Sequence, residues 1–403
     1  MPLYVSKGES TKTTTYLWSS VIPRGDTPPH GCCHSLVNYK DEFLVLFGGG
    51  ALHYVYNDVY CFDLKTFTWT YKETINGDIV APRISHSAVV YGDNMYVYGG
   101  YHLYMPVLFS EVLVLNLKTF TWSCLHHAPP EPEGPGERRL HSAHVYRDHM
   151  YVLMGEPCST STCFWYLDFN THKWHPVQSF GLFGKPIVPL IGHSAQVEGD
   201  YLYVFGGYHT HTMSQTGSFV YSNSLFYYHF PTNMWREVLP YCGPRPFPRY
   251  SSAMVVLQGR VYIHGGDNDG NVYFEDFWCI HTKTQLPRWI DLTLSCGKAH
   301  PSARSGHAYV LAQGSLFVYG GELPGDTDVL YYSNRFYRYP LGLFTHLSLT
   351  ELASRWLAKS NQVNVRVLQE CIPRGPRAAL SRNSPEAVTE DVDALMPCTR
   401  SLW

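Results

Sequence analysis

The chain has 403 residues, 45% of them apolar and 15% aromatic, with 31 Tyr and 10 Trp, which is ample for a large core. A formal charge of −3, with no block of like charges, excludes the electrostatic footprint of a nucleic-acid or anionic-membrane binder. No apolar run reaches the ~18 residues of a membrane span, the N-terminus lacks the apolar core of a secretion signal, and the 11 Cys are scattered without paired spacing; these predict a reducing cytoplasmic or nuclear setting.

From the N-terminus, the first strand signal is Thr15-Tyr16-Leu17-Trp18-Ser19-Ser20, which carries a lone tryptophan. A repeated unit follows. A polar turn leads into His-Ser-Ala or a variant, at His34, His86, His141, His193 and His307, with Ser252 replacing the histidine once. A second strand, such as Asn94-Met95-Tyr96-Val97-Tyr98, ends in a diglycine at Gly48-Gly49, Gly99-Gly100, Gly206-Gly207, Gly265-Gly266 and Gly320-Gly321. Met154-Gly155-Glu156 stands where one more pair is due. A third strand (Asn57-Asp58-Val59-Tyr60) and a fourth follow, the fourth with its own tryptophan: Trp69, Trp122, Trp174, Trp235 or Trp289. The hexapeptide Leu-Lys-Thr-Phe-Thr-Trp recurs unchanged at 64–69 and 117–122. The result is six units of about 50 residues, a period that signals a propeller.

One four-stranded sheet with two apolar faces cannot bury both, so such units stack around an axis. The diglycine allows a backbone conformation and a close approach that a Cβ would forbid. After the last diglycine a third strand reads at 333–339, but no fourth with tryptophan follows it. The segment around Trp18 is therefore expected to complete the last sheet and remove its open edge.

This pattern resembles the kelch family of β-propellers, whose members are mostly protein-binding platforms. The resemblance implies an all-β, six-bladed kelch β-propeller over residues 14–340, then a short C-terminal helical segment (341–373) and a disordered tail (374–403). It further implies a protein or peptide ligand, no cofactor, no metal and no catalysis. The 21 His raise a metal hypothesis, but five share one slot of the repeat, which favours a structural role. Cys32-Cys33-His34 lacks a second ligand pair at zinc spacing, and Cys158 and Cys163 have the wrong interval. Iron-dependent specifier relatives use Glu-x3-Asp-x3-His; here Glu322 and Asp326 fit, but Leu330 stands in the histidine position.

Arg83, Arg138, Arg139, Arg249 and Arg304 lie in the turns between consecutive units, which converge on one mouth of the channel. They have two readings: a guanidinium ring for carboxylates or acidic peptide, or ties within their own turns. The stretches after the diglycines (52–56, 101–109, 208–221 and 267–274) open on the same face, and their rings, with Tyr101, Tyr208 and His209 among them, suit a peptide pocket.

After the repeats, Leu349, Leu352, Ala353, Trp356 and Leu357 share one helical face, with a capping box at Ser348 and Glu351. Such a helix could simply pack on the propeller. Ser348-Leu349-x3-Ala353-x3-Leu357 is also similar to the BC box that docks on elongin C, and Ile372-Pro373 resembles the start of a cullin box. This layout resembles the kelch-domain substrate receptors of cullin-RING ubiquitin ligases, which implies elongin B/C and cullin-2 or cullin-5 as partners. A reader of C-terminal diglycine in that group has arginines after the fourth diglycine and a pocket serine in the next entry turn. Here Tyr208-His209 and Tyr250 stand in those places, which leaves two expectations, a different ligand or a lost pocket. The rival readings are a scaffold or cytoskeleton-associated kelch protein, and an enzyme with an unrecognised site.

Overall fold

The computed structural model describes residues 17–157, 163–181, 189–213, 219–268, 272–295, 297, 299–325 and 331–341. The chain divides into two units, 1–346 and 347–403, and every described residue lies in the first. The helical segment and tail expected after residue 341, with Ser348, Leu349, Ala353, Leu357 and Ile372-Pro373, lie outside the described residues. Among those described there is no α-helix.

Six antiparallel sheets account for the main strands, five of them meanders in chain order from the inside outward. Blade two is typical: Ser87–Tyr91, Asn94–Tyr98, Glu111–Asn116 and Thr121–His127. The innermost strands touch in cyclic order, from Ser35–Tyr39 through Ser87–Tyr91, Ser142–Tyr146, Ser194–Glu198 and Ala253–Leu257 to Ala308–Ala312, which meets Ser35–Tyr39 again. The sheets therefore form a closed propeller.

The last sheet takes its outer strand from the other end of the chain. Ser19–Val21 pairs antiparallel with the third strand, Phe336–Pro340, in the register Ser19 to Arg338 and Val21 to Phe336. That third strand begins three residues later than the sequence pattern indicates. The short run Tyr331–Tyr332 already belongs to a separate hairpin, and Ser333 turns the chain between the two. One addition was not foreseen: Arg24–Gly25 pairs parallel with the outer strand of blade one, making a five-stranded sheet.

The tryptophans explain why the sheets stack. Each outer-strand Trp is buried and packs on an aromatic ring of the preceding blade. Trp69 meets Tyr319 and Phe336, Trp122 meets Phe47, Trp174 meets Tyr98, Trp235 meets Phe164 and Trp289 meets Phe205. Trp18, just ahead of the closing strand, packs edge-on against Phe277 of blade five and so supplies the sixth contact. Burying each ring stabilises the ring of blades by roughly 1.5–3 kcal/mol. On the rim away from the hairpins, Tyr39, Tyr91 and Tyr146 each donate a 2.7 Å hydrogen bond to a carboxylate of the next blade, Asp93, Asp148 and Asp200.

At Gly99 the backbone sits at φ +64°, and a Cβ would lie 2.4 Å from the Arg138 carbonyl oxygen. In blade three, Met154 occupies the same left-handed position at φ 54°, followed by Gly155 at φ 83°. The missing diglycine is thus structurally present, with one side chain added.

Candidate functional site

The face carrying the diglycines is organised by the main chain. Six residues, one per entry turn, adopt the left-handed conformation with φ between 50° and 63°: Cys33, Ser85, Leu140, Gly192, Ser251 and Gly306. The N–H of each donates to the carbonyl of the one before: Ser85 to Cys33, Leu140 to Ser85, Gly192 to Leu140, Ser251 to Gly192, Gly306 to Ser251, and Cys33 back to Gly306. These six bonds, 2.7–3.1 Å long, form a closed hoop around the axis.

Immediately beneath it lie the histidines. His86, His141 and His193 bond through Nε2 to the serine hydroxyls of the preceding blade, Ser35, Ser87 and Ser142, at 2.8–3.0 Å. Ser252 bonds Ser194 in the same way. Where alanine replaces the serine, at Ala253 and Ala308, the facing Nε2 atoms of His307 and His34 are buried and have no hydrogen-bond partner among the described residues. Burial holds every one of these imidazoles below its ordinary value, His34 and His193 at about 4. They are structural groups, and no set of three or more His, Cys, Asp or Glu among the described residues could hold a metal ion.

Above the hoop stand the stretches read from sequence as loops. Those that are described are small hairpins: Gly50–Ala51 with Tyr54–Val55, Tyr101–His102 with Val107–Leu108, Tyr208–Met213 with Phe219–Tyr221, Asp267–Asn268 with Val272–Tyr273, and Glu322–Leu323 with Tyr331–Tyr332. Each is stitched to its own entry turn, by bridges such as Cys32 to Gly50, Ile84 to Tyr101, Tyr250 to Asp267 and Ser305 to Glu322.

Four of the five arginines are not available to a ligand. Arg83, Arg138, Arg249 and Arg304 are fully buried. Each donates from Nη1 to the carbonyl at the end of its own second strand: Gly99, Met154, Gly265 and Gly320, at 2.7–3.1 Å. Arg83 also pairs with Glu111, Arg138 with Glu131 and Arg249 with Asp276. The aromatic rings of Phe109 and Phe274 lie over the guanidiniums of Arg83 and Arg249, and Tyr337 lies over that of Arg304. The expectation of a guanidinium crown is corrected accordingly: these arginines tie their entry turns to the ends of the second strands of their own blades, because a buried cation must spend its donors on nearby acceptors.

Arg139 differs. Its side chain is 35% exposed, is paired with Glu156 at 2.7 Å and lies over the Tyr101 ring. The structure thus brings Arg139 and Tyr101 together, and a second cluster joins Tyr208, Tyr221 and Tyr250, with Tyr208 edge to face on Tyr250 and the other two pairs tilted. His209 pairs with Leu190 in a short strand beside them, and burial lowers its pKa.

Beyond Tyr250 the mouth turns acidic. Asp267 is largely buried, and that burial raises its carboxyl to about 7, against the opposing effect of bonds from Ser305 and Tyr250. Glu322 lies close by and accepts the Tyr273 hydroxyl. Sequence reasoning missed Glu156, Asp267 and Ser305 and weighed Glu322 only as an iron ligand. The signal that finds the acids is the residue just after each diglycine position: Gly50, Tyr101, Glu156, Tyr208, Asp267 and Glu322. Three carboxylates and one half-exposed guanidinium make a mouth suited to hydrogen-bond donors and cations rather than to carboxylates.

Comparison with known proteins is consistent with the repeat. The chain is 27% identical over 347 residues to the fruit-fly (Drosophila melanogaster) leucine-zipper-like transcriptional regulator 1 homolog, covering 81% of this chain and 33% of that protein. It is 25% identical to human (Homo sapiens) host cell factor 2 over 324 residues, 70% of this chain and 39% of the relative. With human Kelch domain-containing protein 3 it shares 26% over 250 residues, 58% of this chain and 60% of the relative. The chain thus spans between a third and three-fifths of the length of these relatives. The model of the KLHDC2/KLHL20/DRC7 Kelch-repeats domain matches residues 8–207 and 192–347, so this chain belongs to the kelch-repeat family.

Proposed function

We propose that this kelch propeller is a receptor that grips a peptide segment of another protein at its hairpin-lined mouth. In this reading it is the substrate-recognition subunit of an elongin/cullin-RING ubiquitin ligase acting in the cytoplasm or nucleus. The observation that carries the recognition half is the crown itself: Tyr101, Tyr208, Tyr221 and Tyr250 beside Arg139, Glu156, Asp267 and Glu322, on hairpins paired through their backbones with the entry turns. Amphipathic rings with a few fixed polar groups on a rigid frame suit peptide recognition, since little ordering entropy remains to be lost on binding.

The ligase half rests on sequence. Ser348-Leu349-x3-Ala353-x3-Leu357, followed by Ile372-Pro373, comes directly after the repeats. The chain itself would transfer no ubiquitin; it would bring substrate to a complex of elongin B/C with cullin-2 or cullin-5. The test is retention of elongin C on the purified full chain from cells, compared with a Leu349→Asp variant. Retention by the wild type, lost in the variant, supports the receptor. No retention by either overturns it and leaves a non-catalytic scaffold or cytoskeleton-associated protein as the reading.

A further inference from the structure

The entry-turn arginine position is defined by two main-chain bonds, both of which are described in five of the six blades. Its N–H donates to the hairpin of the preceding blade, and its carbonyl accepts from the second glycine position there; Arg83, Arg138, Arg249 and Arg304 all do so. Gly31 makes the same pair of bonds, donating to Ser333 and accepting from Gly321. Gly31 is therefore the blade-one counterpart of the buried arginines, and blade one has no guanidinium there.

In blades two and five the arginine is held by three groups. A carbonyl ends the second strand (Gly99 or Gly265), a carboxylate adjoins the start of the third (Glu111 or Asp276), and an aromatic ring follows the hairpin (Phe109 or Phe274). The matching positions in blade one are Gly48, Asp58 and Tyr56. Asp58 precedes Val59, which pairs with Phe47 as Phe277 pairs with His264. Tyr56 donates its N–H to Gly49 as Phe109 does to Gly100 and Phe274 to Gly266. All three groups line one small cleft that is partly open to solvent, together with Gly31.

Among the described residues, Asp58 has no ion pair, and the Gly48 carbonyl accepts no hydrogen bond. Blade four shows the other outcome of losing the arginine. There Leu190 fills the position, buried, with Ser222 and Ser224 in place of the ring and the acid, so no carboxylate is left to neutralise. In blade one the carboxylate and the ring both remain, on either side of the small cleft. Nor can a side chain from Gly31 fill it easily, because a Cβ there would lie 2.8 Å from the Gly50 carbonyl oxygen.

We propose that this cleft is a binding site for the guanidinium of an arginine side chain supplied by a bound protein. The incoming group would donate to the Gly48 carbonyl and the Asp58 carboxylate and lie against the Tyr56 ring, as Arg249 does in blade five. Because Gly50 lies in the first hairpin and Tyr56 directly follows it, the site borders the mouth. The assignment rests on the reading of that face as the recognition surface and gives its ligand a chemistry.

The test is saturation-transfer NMR on the full chain with N-acetyl-arginine amide, and with N-acetyl-citrulline amide as a neutral isostere. Transfer to the arginine methylenes is expected, with citrulline and the Asp58→Asn variant each about tenfold weaker or more. Asp78→Asn, at an exposed carboxylate, should bind as the wild type does. Equal signals from arginine and citrulline, or undiminished arginine binding by Asp58→Asn, would overturn the proposal. Should Asp58→Asn not fold, Tyr56→Leu and the comparison of the two probes on the wild type decide it. Elongin C retention is scored separately, so failure of the cleft leaves the receptor reading untouched, and the reverse holds.

Discussion

Arg83 and Arg139 look alike in the sequence, yet they do opposite work. Arg83 is sealed against Glu111 under Phe109, so replacing it with methionine strands a buried carboxylate and a strand-end carbonyl. Arg83→Met is expected to cost about 3–5 kcal/mol, whereas Arg139→Ala, whose pair with Glu156 is partly solvated, should cost less than about 1 kcal/mol. Denaturant titration of the two variants checks this, and equal losses would contradict the division of roles. The sequence placed both in entry turns but could not tell them apart. The difference depends on whether an acid of the third strand or a neighbouring hairpin comes within reach, which is a contact across ~16–28 residues of intervening chain.

At the scale of strands and hairpins, closure is the feature with the largest consequence. Removing residues 1–21 would expose the outer edge of Phe336–Pro340 and empty the slot that Trp18 fills between Phe277 and Tyr339. The tryptophan alone is worth about 3–5 kcal/mol, so the truncated chain should melt at a markedly lower temperature in a calorimetric scan. An unchanged melting curve would rule out the closing role. The main strands were legible because alternation, the diglycines and a tryptophan per unit recur together. The hairpins were not, since two-residue strands such as Tyr101–His102 are too short to show a period and read as loops. Arg24–Gly25 escaped for the same reason, with only its parallel bridge to the outer strand of blade one to define it.

Considered as a whole, the molecule packs a ring of neutral imidazoles around its axis, and this sets its response to acid. Burial is the leading cause of each depressed value: about 4 for His34 and His193 and about 3 for His264, with His86, His141 and His307 also lowered. The unfolded chain, with histidines near 6.5, therefore binds more protons than the folded one once the pH drops below that value. Stability is complete above pH ~6.5 and declines as the pH falls through about 4. His264 fills the slot that holds Phe47 and Phe205 in other blades, so His264→Phe should soften the acid limb of an unfolding free-energy profile while changing little at pH 7.5. A variant profile parallel to the wild type would refute the assignment.

The hoop of six amides has a bearing on how such a surface diversifies. Its members are two glycines, two serines, a cysteine and a leucine, so the geometry tolerates chemically unrelated groups so long as the left-handed turn is kept. Substitutions there and on the hairpins can accumulate one blade at a time without loosening the frame. One architecture can in this way acquire new specificities while its foundation stays fixed.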